Sequence, residues 1–473
     1  MPARRLVSAL GRPGLGRSGE TGRASGVEST ARQPYFLNPP AVRADHARSR
    51  TVTKPRVVLV NQYCYPDVAS TGHLIHTLAH ELARDHGFEV EVITTQPSYG
   101  DKDTWVDLPS VVREDGVTFR RVWVPRVSKN ILAGRAIKDL TFLIQLQLRA
   151  LFGRQRGTVY LYTTAPPYGA FVGAVCRLLR RQTYCTLLYD SYPHLGVWVG
   201  TFRKGGLIER VWHWVNRRMY KGASRCIVLC KAAARLLESN YPIDPAKIRP
   251  IPNWADGDKL FPIPKKDTNF AKAHGLAETF TLLYSGNMGL YYEFDTVLKA
   301  AEILKDEPFR LVLVGGGGKK AWCEEQVRQR GLTNTIVLPY QPFETLNDSL
   351  NACDASLVTI AKGIEGISFP SKLYTSLAVG KAIVAISEPN SELRDIVTDS
   401  SCGVWAELGD AEGLAELLRG MMRDPARTES MGAAARELFE QRYTRQVCAA
   451  QYAAVLREAG EQAGVFQPAG ATP

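Results

Sequence analysis

The chain has 473 residues, of which 45% are apolar and 22% charged. Single cores stop growing at ~250–300 residues, so two domains with added segments are expected, and the globular composition excludes wholesale disorder. The richest apolar run, Leu140–Leu148, falls far short of the ~20 residues of a membrane span, which excludes an integral membrane protein but not a peripheral one.

The net charge of +12 is unevenly spread, because residues 1–52 hold nine Arg, no Lys and three acids. Rich also in Gly, Ser and Pro, this segment cannot bury enough apolar surface to offset its ordering entropy, and reads as a disordered tail. An inert extension, a transit-like peptide and a basic arm for nucleic acid or anionic lipid are its competing readings; without an apolar h-region it is no secretory signal. The nine cysteines contain no CxxC pair and mostly flank apolar runs, as expected of buried thiols in a reducing cytosol.

In chain order, Arg56–Asn61 reads as a buried strand, Gln62–Gly72 as a loop and His73–Asp85 as a helix. Strands follow at Glu89–Thr94, Val117–Val124, Thr158–Tyr162, Tyr184–Tyr189 and Cys226–Leu229, with helical stretches between them. The segment 251–278 carries linker composition after a Pro-rich approach. A second series begins at Phe280–Ser285, with strands at Arg310–Val314, Ile336–Leu338, Ala355–Val358 and Ala382–Ala385. Short apolar runs alternating with amphipathic helices predict two doubly wound parallel α/β domains, 53–250 and 279–428, with ligands at the strand C-terminal ends. Residues 429–458 read as further helices and 459–473 as a tail.

Several segments have the make-up of a site. In Gly363–Gly380, Ser368 reads as an N-cap, Pro370 as first turn and Gly380 as the stop of a helix. Leu373 and Leu377 then face the core, while Lys372, Thr375 and Ser376 share the other face. Free N–H groups beside Lys372 suit a diphosphate; a capped core helix with a solvated Lys is the competing reading. Gly286 and Gly289 follow a strand and permit close backbone approach to a phosphate or ribose, and Gly315–Gly318 form another glycine loop. Asp190 and His194, after a strand of the first domain, are expected in the cleft, where either could assist a proton transfer.

His73, His76 and His80 share one helix with Glu81, but zinc would need a further ligand, so a polar-faced helix is preferred and no metal is expected. Asp101 with Asp103, and Asp256 with Asp258, have DxD form in loop composition. Within 207–221, Ile208, Val211, Val215 and Met219 are expected to form the core stripe, with Arg210, Trp214, Arg217 and Lys221 on another face. Cations alternating with Trp suit contact with an anionic membrane. The stretch 126–156 adds seven cations against one acid, and nucleic acid is not an expected partner.

Taken together, VNQYCYPDVASTGHLIHTLAHELARDHGFEVEVIT from Val60, IPNWAD at 251–256, YSGNMG at 284–289 and FPSKLYTSLAVGKAIV at 369–384 resemble family 4 glycosyltransferases. The likeness runs along about 56–440 and is greatest to the subgroup that builds bacterial exopolysaccharide and O-antigen chains. It implies a GT-B fold, two Rossmann-like domains facing a cleft, with the nucleotide-sugar donor in the C-domain and the acceptor in the N-domain. It also implies a retaining, metal-independent hexosyl or N-acetylhexosaminyl transfer. The acceptor would be a lipid-linked saccharide at the inner face of the cytoplasmic membrane, and the last helices would cross back to the N-domain.

Carried onto this sequence, the resemblance places Gly72, Gly286 and Asn287 at the donor and Lys372 near its diphosphate, and Gly315, Gly316, Tyr340, Glu365, Ser371 and Thr375 are expected to complete the donor site. Lys372 and Asp190 become the catalytic residues, and His73 and His194 join the acceptor side. The chain departs from the family where an Arg and a Lys are common, at Asn287 and Tyr292. It departs again at a Glu pair, whose places are Ile367 and Thr375, and at a His, whose place is Tyr189. Rival readings are a UDP-sugar 2-epimerase, which would need cleft carboxylates and His, a degenerate scaffold subunit, and a nucleic-acid binder using the Arg tail.

Overall fold

A computed structural model describes residues 54–67, 69–97, 105–125, 132–153 and 157–467. The Arg-rich segment 1–52 and the Asp101–Asp103 pair lie outside them. Eight strands form the first sheet: β1 Arg56–Val60, β2 Glu89–Thr95, β3 Val111–Glu114, β4 Val117–Val122, β5 Thr158–Thr163, β6 Thr183–Leu188, β7 Arg225–Val228 and β8 Ile248–Pro250. Six form the second: β9 Phe280–Asn287, β10 Phe309–Gly316, β11 Thr335–Leu338, β12 Ala355–Thr359, β13 Ala382–Ser387 and β14 Gly403–Glu407.

The strand orders are β3-β4-β2-β1-β5-β6-β7-β8 and β11-β10-β9-β12-β13-β14. Every pairing is parallel except the β3–β4 hairpin. Helices cover both faces, so central strands such as β5 and β13 are buried along their whole length and read as unbroken apolar runs. In the first sheet the order reverses at β1, which pairs with β2 and β5; in the second it reverses at β9, between β10 and β12. A crevice opens at the carboxyl ends of strands at such a reversal, which is where doubly wound sheets take ligands.

The segment expected as a linker is partly built into the second half. Its helix Asn269–Ala273 places Phe270 and Ala271, with Leu276, in a cluster with Leu283 and Val312. At the other end, helix Pro425–Arg442 packs Ala435, Leu438 and Phe439 into the second half's core. Helix Arg445–Gln462 packs Cys448, Ala449, Tyr452, Leu456 and Ala459 against Val57, Leu59 and Leu161 of the first. Between them Arg445 pairs with Glu81 at 2.6 Å and with Asp258 at 3.1 Å. The Asp256–Asp258 motif therefore belongs to a structural turn.

One expected core stripe is not core. On helix Leu207–Gly222, Met219 is buried, but Ile208 and Val211 are 58% and 52% exposed. The helix is buried at its far end, through Asn216, Met219 and Tyr220, and Trp212 and His213 pack on neighbouring rings, while the Ile208–Val211 side of its first turns overhangs. Periodicity established an apolar face without showing what covers it.

Candidate active site

A cavity of about 600 Å³ lies between the two sheet edges. It is floored by segments that leave β1 (Gln62), β5 (Thr164–Pro167), β6 (Tyr189, Asp190) and β9 (Ser285–Asn287). Among its described lining residues Lys372 is the one cation, Asp139 and Asp190 are the carboxylates, and no His is present.

The glycine loops are built around Lys372. Gly315, at φ +144°, lies so close to β9 that a Cβ there would sit 1.9 Å from the Gly286 carbonyl oxygen. Gly286, at φ +131°, leaves room for the Lys372 side chain, since its own Cβ would lie 2.8 Å from Cε. Only glycine combines that backbone with that clearance. The loops are then joined: Met288 N–H donates to the Gly316 carbonyl at 2.6 Å, and Lys319 N–H to that of Met288 at 2.9 Å. Tyr340 OH donates to Gly316 at 3.3 Å. Gly315 and Gly316 thus support the wall, while Gly286, Asn287 and Tyr340 line it.

Lys372 opens a seven-residue helix, Lys372–Ala378, one turn later than expected. Ser371 is its N-cap residue without a capping bond, and Ser368 instead hydrogen-bonds the Asp190 carboxylate. The Lys372 ammonium is buried, 3.8 Å from the ring centre of Tyr292 and 5.0 Å from that of Tyr284. Two aromatic faces hold a cation there without neutralising it. Burial lowers its pKa to about 7, and no carboxylate contributes an opposing effect. The competing reading of a solvated Lys does not hold: the ammonium is dry, and an anion in the cavity would be its missing partner. Tyr292 stands where the family commonly has Lys; a second ammonium in that place would repel the first.

Asp190 faces the cavity from the other half. Thr164 Oγ1 accepts from the Tyr189 and Asp190 amides at 3.1 and 3.4 Å, fixing the turn. Burial raises the Asp190 pKa, and the Ser368 bond opposes this. Ser191 N–H donates to the Ile367 carbonyl at 2.8 Å, so Asp190 is referenced directly to the loop before Lys372. Gln62 Nε2 donates to Asp139 at 2.8 Å. Thr375 and Ser371 also line the cavity.

Other expected site residues lie elsewhere. Gly72 is buried under the Cys64 backbone, and its neighbours Ser70 and Thr71 reach the cavity instead. Glu365 is turned away, accepting from the Glu392 amide at 2.9 Å at the start of another helix, so it cannot hold donor hydroxyls in this arrangement. His194 bonds Ser191 Oγ at 3.0 Å and packs edge-on against His213, outside the cavity. His73 stacks on Phe343, which does line it. Arg210, Trp214, Arg217 and Lys221 sit on the overhanging helix, away from the cavity. His76, His80 and Glu114 bring ligand-type atoms within 4.8 Å of one another, while Glu81 is taken by Arg445.

Sequence reasoning missed the aromatic character of the cleft, in which Tyr63, Tyr189, Tyr192, Tyr291 and Phe369 also take part. It missed Asn253 too, whose buried Oδ1 has no hydrogen-bond partner. The IPNWAD motif held that signal.

Two family models match in tandem: a glycosyl transferase 4-like domain over residues 71–254 and glycosyl transferases group 1 over 266–438. The chain belongs to the family 4 glycosyltransferases of the GT-B fold. Among its relatives, the probable glycosyltransferase WbjE of Pseudomonas aeruginosa is 25% identical across 85% of this chain and 98% of that protein. The putative colanic acid biosynthesis glycosyl transferase WcaI of Escherichia coli K12 is 39% identical over 24% of this chain and 28% of its own. WaaG, a glycosyltransferase involved in lipopolysaccharide biosynthesis, has the same fold at a TM-score of 0.61, with 16% identity over 85% of this chain and 99% of that one. Anabaena Alr3699/HepE, solved in complex with UDP-glucose, also scores 0.61 at 16% identity, over 85% of this chain and 99% of its own. Within this glycosyltransferase, the glycine loops and Lys372 belong to the group 1 domain, and Asp190 to the 4-like domain.

Proposed function

We propose that this glycosyltransferase moves a hexosyl or N-acetylhexosaminyl group, with retention, from a nucleotide sugar to a lipid-linked saccharide in surface polysaccharide assembly. The observation that carries the reading is the dry, unpaired Lys372 between the Gly286 loop and Asp190. A leaving diphosphate would be stabilised by that ammonium and by backbone N–H groups of the glycine loops, the type of preorganised charge that dominates catalysis. No metal is required in this scheme, because the side chain supplies the positive charge. In a front-face transfer the acceptor hydroxyl attacks the anomeric carbon as the sugar–phosphate bond breaks. The hydroxyl proton passes to the leaving phosphate oxygen. Asp190 is placed to stabilise the cationic sugar, with Thr375, Ser371 and Asn287 holding the donor. An epimerase would need a cleft acid–base pair, but Asp139 is engaged by Gln62 and no described lining residue is His. Names of polysaccharide and lipopolysaccharide enzymes among the similar proteins support the setting, a peripheral enzyme at the inner face of the membrane.

The test is a panel of UDP-, GDP- and TDP-sugars in EDTA, read by thermal shift and slow donor hydrolysis. One nucleotide should bind, and Lys372→Ala should remove that binding. A folded protein that binds none of the panel would overturn the donor site. An inverted anomer in the product would overturn retention.

A further inference from the structure

Outside the active site, a groove of about 700 Å³ lies on the first half, between helices Leu132–Phe152, Ala170–Arg180 and Leu207–Gly222. Its walls are almost wholly apolar, including Ile144, Leu148, Phe171, Ile208 and Val211. Several of these side chains are more than half exposed. A continuous apolar surface of this kind marks a binding site rather than idle surface.

Its position relative to the cleft is what identifies the occupant. One aromatic wall separates the two. Tyr192 lines the cleft and stacks on Trp212 of the groove, with ring centres 5.6 Å apart and planes 11° from parallel. Tyr168, in the groove, packs on the same Trp212 at 5.5 Å and directly follows Pro166 and Pro167 of the cleft. A molecule with an anionic, sugar-bearing head in the cleft would therefore have an apolar channel beyond the stacked Tyr192–Trp212 pair. The three helices hold nine Lys and Arg against two acids, and none of these cations lines the groove, so an apolar channel runs through an otherwise basic surface.

We infer that the groove binds the hydrocarbon segment next to the diphosphate of the lipid-linked acceptor. The groove thereby fixes the acceptor saccharide in the cleft. This rests on the proposed lipid-linked acceptor, but its test does not depend on sugar transfer. The probes are geranyl, farnesyl and geranylgeranyl diphosphate below their micellar concentrations, with inorganic diphosphate as the chainless control. Binding is read by quenching of tryptophan fluorescence.

Affinity should rise at least tenfold per added five-carbon unit, the ceiling being about a thousandfold if all five carbons are fully buried at about fourfold each. The double variant Ile208→Asp with Val211→Asp changes exposed positions and should fold. It should flatten the chain-length dependence while leaving donor hydrolysis and vesicle binding intact. Chain-length independence in the wild type would overturn the inference. So would an unchanged dependence in the variant, loss of vesicle binding instead of chain dependence (a bilayer contact), or loss of a dimer (a self-association face). A protein that shows the chain-length series but hydrolyses no nucleotide sugar would keep this inference and fail the glycosyl-transfer reading.

Discussion

Lys372 concentrates the chemistry of the cleft, and its environment makes that chemistry pH-dependent. Its ammonium titrates at about 7 because burial disfavours the charge and no carboxylate restores it. A bound diphosphate would supply the counter-charge and raise that pKa. Binding then takes up a proton above pH 7, so nucleotide affinity should fall by approaching tenfold per pH unit above 7. Lys372→Arg, charged throughout, should give a flat profile between pH 6 and 9, and titration calorimetry across that range checks both. The same burial acts on stability with a definite sign. The folded pKa lies below the unfolded value, so the fold carries the cost of a dry ammonium fully below pH 7. That cost fades as pH rises toward the unfolded value of ~10.4. Lys372→Met should accordingly raise the melting temperature at pH 6 and lose that advantage by pH 10. The glycines beside it separate two kinds of damage. In Gly286→Ala the new methyl meets the flexible Lys372 chain at φ +131°, so a folded protein destabilised by ~1–3 kcal/mol, with donor affinity lowered at least tenfold, is expected. In Gly315→Ala it meets backbone 1.9 Å away, at φ +144°, and a loss of ~3 kcal/mol or more in denaturant unfolding is expected.

At the scale of elements, the last helix completes a core rather than decorating one. Cys448, Ala449, Tyr452, Leu456 and Ala459 close one face of the first sheet. Arg225 also holds Glu458 through two bonds, of 3.1 and 2.6 Å. Ending the chain before Arg445 would strip seven buried side chains from that face, Val455 and Leu456 alone worth ~1.5–3 kcal/mol each, against a total stability of ~5–15 kcal/mol. An insoluble or molten N-half is expected, visible as loss of near-ultraviolet circular dichroism. Much of this architecture is legible in the sequence because buried parallel strands are continuous apolar runs: Val57–Val60 and Leu311–Val314 announce themselves. The glycine loops are legible for the same local reason. What escapes is whatever depends on partners far along the chain. Glu365 looks like a site acid until Glu392, 27 residues on, claims it. Lys372 is legible as an anion-binding candidate, but not its burial, which Tyr284 and Tyr292 supply from another strand and loop. Ile208 and Val211 carry the period of a core helix, and nothing local says that no described element covers them.

For the whole molecule, the two halves differ in what they offer the solvent. The second half turns its glycine loops and its cation inward, as a donor site requires. The first half leaves an apolar, basic face outside: Leu178 and Leu179 are 84% and 60% exposed, and Phe152 is 81% exposed, among the cations Arg177, Arg180 and Arg181. Among the described residues no helix is long and apolar enough to cross a membrane, and the proposed peripheral contact would rest on this face. The energetics divide in a testable way. Each cation near an anionic surface is worth ~1 kcal/mol, and that share is screened as the Debye length falls from ~10 Å at 0.1 M salt to ~3 Å at 1 M. The apolar share survives salt. Sedimentation with phosphatidylglycerol vesicles should therefore be tight at 0.1 M, weaker but measurable at 1 M, and weak with neutral phosphatidylcholine at either. Leu178→Asp with Leu179→Asp alters exposed positions only. It should abolish the salt-resistant part while leaving hydrolysis of a soluble donor unchanged. Binding that vanishes entirely at 1 M in the wild type would mean that the leucines do not enter the bilayer and that the face is held by charge alone.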